Sequence, residues 1–160
     1  MRVEVSLDAP EDPLSLRQQV ALKILLNAHS TGVMARLGRV VGNTMTNVSP
    51  SNLKLIGRAT FLIMSHVNDA LKQPRWAEDH GPCEPVSFAE ANAVLFEAMD
   101  YVSSHEVGQT AEVALCIIRI LEALASGAAV SWEQARAILG DEGLASYLAR
   151  RNPTLQSGSA

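Results

Sequence analysis

Four cations and four hydrogen-bonding side chains crowd into one stretch of the chain: Arg36, Arg39, Lys54 and Arg58 are interleaved with Asn43, Asn47, Ser51 and Asn52. Guanidinium and ammonium groups among neutral donors are suited to a phosphate or carboxylate, the more so where a helix begins and leaves N–H groups free. These eight residues are the candidate binding set for a small anion that carries a phosphate or carboxylate. The same residue types also cap helices and make turns, with Ser49 or Ser51 as N-cap. On residue types alone, capping combined with subunit packing is the preferred reading, and ligand binding is the alternative. No catalytic residue stands out: Glu97, Asp100, Glu106, Glu112 and Glu122 are scattered at helix positions that read as solvated faces. His29 and His66 read as core or boundary histidines facing each other across two long helices. His80 and Cys83 have two residues between them, but no second Cys or His pair has metal-site spacing, so neither zinc nor any other cofactor is expected.

The elements that must position this set are helical. Leu16, Val20, Ile24, Thr31 and Met34 recur at helical spacing and predict a first helix from about Leu14 to Leu37. A polar elbow through Gly38, Gly42 and Asn43 leads to a second helix, Ser51 to Leu71, with Leu55, Ile56, Ala59, Leu62, Ile63, His66, Val67 and Ala70 turned inward. Lys72 to Pro85, with three prolines and a glycine, breaks it. Ser87 and Glu90 form a capping box that opens a third helix to about Ser104. A fourth runs from about Thr110 to Ser126, is apolar on most of its circumference and stops at Gly127. Ser131 and Gln134 open a fifth helix that ends at Gly140, and Glu142 to Arg151 forms a sixth. Arg2 to Leu7 alternates as a short strand, and Asn152 to Ala160 reads as a flexible polar tail.

The fold class expected is therefore all-α: a bundle of about six helices, two of them long and N-terminal, with at most one short strand. A long helix pair over residues 1–72 and a helical module over 87–151 are the expected domains. At 160 residues and 48% hydrophobic, the chain can enclose a core without disulfides. Aromatics are 4%, so that core must be aliphatic. A net charge of -4 with interspersed signs gives no footprint for nucleic acid or an anionic membrane. Cys83 and Cys116 make no disulfide framework. No signal-peptide pattern or membrane-length apolar run is present, which fits a cytoplasmic protein.

The elbow also carries a resemblance. Leu26-Asn27, Ser30-Thr31, Met34, Arg36 to Val40, Gly42-Asn43, Met45, Asn52, Lys54-Leu55 and Arg58-Ala59 resemble the LN..ST..M.RLGKV.GN.M......N.KL..RA segment of N-acetylmuramic acid 6-phosphate etherases, in the sugar isomerase (SIS) superfamily. The resemblance runs from Pro10 to about Ala59. In that family the segment closes a domain whose preceding sheet carries the sugar-phosphate loops and the glutamates of lactyl ether cleavage, and nothing in this chain matches that part. Where the family has a GSTR.KAGTA.K loop, this chain reads DPLSLRQQVALK, and only Arg17 and Lys23 keep comparable charge. No catalytic residue is carried over.

What the resemblance implies is a non-catalytic helical protein of etherase descent that dimerises or binds an SIS-domain partner, because helices that lie against a sheet in the family have none here. A symmetric dimer is the simplest outcome. Two alternatives follow from the same resemblance: a subunit of a split etherase, a carbon–oxygen lyase active only with its other half, or a regulator that senses a phosphosugar.

Overall fold

Capping residues, prolines and glycines divide the chain into elements much as the sequence indicates. The computed structural model describes residues 12–105 and 111–151. The strand over Arg2 to Leu7, Glu106, the helix start at Thr110 and the tail from Asn152 lie outside the described residues. Two compact units are formed, Met1–Leu37 and Gly38–Ala160. The described residues are mostly helical, with one short strand pair, in agreement with the all-α expectation.

The first unit contains α1, Leu16–Arg36. Its N-terminus is capped from upstream: the Asp12 carboxylate accepts from the N–H groups of Leu16 at 2.9 Å and Arg17 at 2.8 Å. That arrangement satisfies two orphan donors and sets a negative charge at the positive end of the helix. Apolar side chains are spread around α1 instead of forming one stripe, and none of its residues is buried. Leu16, Leu22, Leu26 and Ile24 are 56 to 63% exposed.

The second unit opens on a hairpin that sequence periodicity missed, β1 Val40–Val41 paired antiparallel with β2 Thr44–Met45 in the register Val41↔Thr44. Two strands of two residues leave no alternation to detect. The turn is Gly42-Asn43, and Gly42 at φ 59 supplies the left-handed backbone a two-residue hairpin needs. Thr46 then ties the hairpin to the preceding chain, its N–H donating to the Arg39 carbonyl at 3.0 Å.

Helix α2, Leu53–Leu71, is capped by Asn52, whose Oδ1 accepts from Leu55 N–H at 3.1 Å. This corrects the choice of Ser49 or Ser51 as cap. It also corrects the reading of Lys72 to Pro85 as unbroken connection, because Pro74–His80 form α3. Proline at the first helical position has no N–H to lose, so it starts this short helix. Asn68 pins the proline-rich segment that follows: its amide accepts from Val86 N–H at 2.8 Å and donates to Val86 O at 2.9 Å. The Ser87–Glu90 capping box opens α4, Phe88–Ser104, as expected. Helix α5, Glu112–Ser126, ends at Gly127 in the left-handed region. The Ser131–Gln134 box is also formed. The two final helices are both present within α6, Trp132–Arg151, but they part at Gly143, whose φ 71 and ψ 158 are not helical, and not at Gly140.

Helix α5 packs against α2, α4 and α6, and α2 packs against α4. Leu115, Cys116, Ile117, Ile118 and Leu121 of α5 are fully buried, with Ile63, Val67, Leu95 and Leu148 from the helices around it. The core is aliphatic, as the composition requires, and all three phenylalanines are outside it: Phe61, Phe88 and Phe96 are 56, 50 and 47% exposed. Burial pushes the Cys116 thiol well above its ordinary range, which makes it an inert hydrophobe.

Two carboxylates expected on solvated faces are not. Glu122 accepts from Tyr147 Oη at 2.8 Å and pairs with Arg151, linking α5 to the end of α6. Glu112 is 7% exposed, and its Oε2 has no partner among the described residues. Burial raises its carboxyl above the ordinary 4.5. The folded state therefore holds a proton that the unfolded chain has lost. This group favours folding most fully below pH 4.5, and its contribution falls as pH rises through the raised value. Glu112→Gln should accordingly gain stability relative to wild type as pH rises from 4 to 8 in urea titrations. Leu121→Ala, at a fully buried site, should lose about 2–5 kcal/mol in the same assay, and Ser87→Ala about 1 kcal/mol for the lost cap.

Candidate functional site

Within the second unit, the hairpin, α2 and one residue of α6 enclose a cavity of about 540 Å³. Val41, Gly42, Asn43 and Thr44 form one wall, and Leu148 contributes from α6. The longest wall is a stripe of α2: Arg58, Phe61 and Leu62, Ser65 and His66, then Asp69 and Ala70. Steps of three or four residues keep these side chains on one helical face. The cavity thus joins apolar surface to a guanidinium, an amide, two hydroxyls, an imidazole and a carboxylate, the mixture that orients a small polar ligand.

Charge is unevenly placed along it. Among the described residues no carboxylate lies within ion-pair distance of Arg58, which is exposed at the hairpin end of α2. Asp69 has Lys72 at 3.7 Å, an exposed pair worth little in water. His66 is half-buried between them, and its Nε2 has no partner among the described residues. Burial lowers its pKa below the ordinary 6.5, opposed by the Asp69 charge. At neutral pH the ring is therefore uncharged.

Of the eight residues singled out in the sequence, the structure brings Asn43 and Arg58 together in this cavity. Arg36 is the last residue of α1, in the other unit. Arg39 precedes the hairpin, its carbonyl accepting from Thr46, and Asn47 follows the hairpin. Asn52 is committed to capping, Ser51 N–H donates to Ser49 O at 2.8 Å, and Lys54 is exposed on the first turn of α2. None of these three lines the cavity. The cavity adds Thr44, Ser65, His66 and Asp69 to the set. Their signal was present in the sequence as the stripe leading from Arg58, but His66 was assigned to the apolar face of the same helix. His29 is exposed on α1 and belongs to the other unit than His66. No group of three metal-ligating side chains occurs among the described residues, and no described helix is long and apolar enough to cross a membrane.

Comparison with known proteins locates the chain's relatives. It is 43% identical over 60 residues to an N-acetylmuramic acid 6-phosphate etherase of Porphyromonas gingivalis, covering 38% of this chain and 22% of the relative. The etherase of Lactobacillus acidophilus is 40% identical over 76 residues, 44% of this chain and 25% of the relative. That of Thermosynechococcus vestitus is 52% identical over 44 residues, 28% and 14% respectively. The chain therefore spans a quarter or less of the length of these relatives. No protein-family model matches it, and no solved structure does. Part of this polypeptide is similar in sequence to N-acetylmuramic acid 6-phosphate etherases, as the elbow motif indicates.

Proposed function

We propose that the chain is a non-catalytic helical assembly protein, cytoplasmic and related to the sugar-phosphate-handling etherases, that dimerises through α1. One observation carries this reading: a helix of 21 residues holds Leu16, Val20, Leu22, Ile24, Leu25, Leu26 and Val33 with none of them buried. At about 25 cal/mol per Å² of apolar surface, leaving such a helix in water forgoes several kcal/mol. Apolar surface on that scale marks an interaction site.

The charges say what kind of surface covers it. Helix α1 carries Arg17, Lys23 and Arg36 and no acid, so its complement is apolar and bears carboxylates. A second copy offers such a face on α4, which itself carries no cation: Phe88 and Phe96 are half exposed and Glu90 and Asp100 are exposed, while Glu97 is already paired with Arg119. A pairing of this kind is self-complementary, which is what a symmetric dimer requires. A separately encoded SIS chain is the alternative partner, and with it the split-etherase reading. Neither nucleic acid nor a membrane fits a chain of this charge.

The cavity favours a second reading, a regulator that senses a phosphosugar or a related small anion, since Arg58, with no carboxylate partner among the described residues, and Asn43 both line it.

Sedimentation equilibrium across the micromolar range should return twice the monomer mass, and the double variant Leu22→Glu, Leu26→Glu should weaken association at least tenfold, about 1.4 kcal/mol. A well-folded monomer at the highest concentration would end the assembly reading.

A further inference from the structure

We propose that the hairpin–α2 cavity is built for a dipolar ligand, one with an anionic group at the Arg58 end and a primary amine or equivalent cation at the Asp69 end. This rests on the reading that the cavity takes a small anion, and it goes further by assigning the opposite end.

Arg58 and Asp69 both line the cavity and lie eleven residues apart on α2. Eleven residues are about three turns, so the two side chains share one face with their Cα atoms separated by about 16 Å along the axis. Their charges are opposite, and neither neutralises the other over that distance. The hairpin wall adds an amide and a hydroxyl from Asn43 and Thr44. Ser65 and His66 stand one turn before Asp69 on the same wall and add a hydroxyl and an imidazole ring to its lining. A ligand with a single anion fills only the first half and leaves the carboxylate to water and to the exposed Lys72. A ligand with two anions meets Asp69 as a repulsion. Only a molecule with one charge of each sign satisfies both ends, while its middle lies over Phe61 and Leu62.

A series of ω-aminoalkyl phosphates of increasing chain length, each paired with the alkyl phosphate of equal length, tests this on the full chain. Affinity is read from ¹H–¹⁵N amide shifts at Asn43 and Asp69 together. The expected result is at least tenfold tighter binding of the amine at one optimal length, with shifts at both ends. Asp69→Asn should bring the ratio of the two ligands to about one. Lys72→Gln, by removing a competitor for Asp69, should raise that ratio. Arg58→Gln should weaken both ligands. Equal binding of amine and alkyl phosphate, or an amine preference that survives Asp69→Asn, overturns the dipolar assignment while leaving an anion site intact. No shift at Asn43 with any phosphate removes the anion site and the dipolar assignment with it.

Discussion

The apolar circumference of α5 is the constraint around which the second unit is arranged. A helix with Val113, Leu115, Cys116, Ile117, Ile118 and Leu121 all buried needs cover on most sides, and α2, α4 and α6 supply it. Aliphatic side chains are non-directional, so they fix that these helices collapse together but not how they are rotated. Register comes from a few polar contacts that hold only in one arrangement. Thr60 Oγ1 lies 2.9 Å from Asn92 Oδ1 between α2 and α4. Arg119 of α5 reaches Glu97 of α4 at 2.6 Å and the Val130 carbonyl at 2.9 Å while lying over the Trp132 ring. The Glu122, Tyr147 and Arg151 cluster fastens the other side.

What was legible in the sequence follows from how local each cause is. The caps at Ser87 and Ser131 and the stop at Gly127 are set within four residues, and they were read correctly. The apolar burial of α5 was legible because it needs only composition and period. The failures involve either a partner distant in sequence or an element too short to show a period. Glu122 reads as a surface acid until Tyr147 and Arg151, more than twenty residues away, come to it. The hairpin is two residues per strand, too short for periodicity, and only the Gly42-Asn43 turn marks it. At the candidate site, Asn43 and Arg58 line the cavity, whereas Ser51, Asn52 and Lys54 share their chemistry but do not line it. Sequence spacing names the residues of an elbow without saying which way each one faces.

Helix α2 works on both faces, and this links the packing to the site. Ala59, Ile63, Val67 and Ala70 lie on or beside the face that seals the core, and the same turns present Arg58, Ser65 and Asp69 to the cavity. His66 lies at the boundary between the faces, which is why burial holds it neutral while its ring still lines the cavity. A ligand there would contact a helix already fixed by α4 and α5, so the charges at its two ends are pre-positioned and little ordering is required on binding.

The two units differ in what satisfies them. The second has a complete core, its helix starts at Asn52, Ser87 and Ser131 capped by its own side chains. The first has a helix capped by Asp12 and long enough to be regular, yet with no side chain removed from water. In proteins a helix gains most of its stability from packing an apolar face and little from propensity. Among the described helices α1 alone buries no residue, so this source of stability is missing from it. Its cations, Arg17, Lys23 and Arg36, stand with no acid on the same helix.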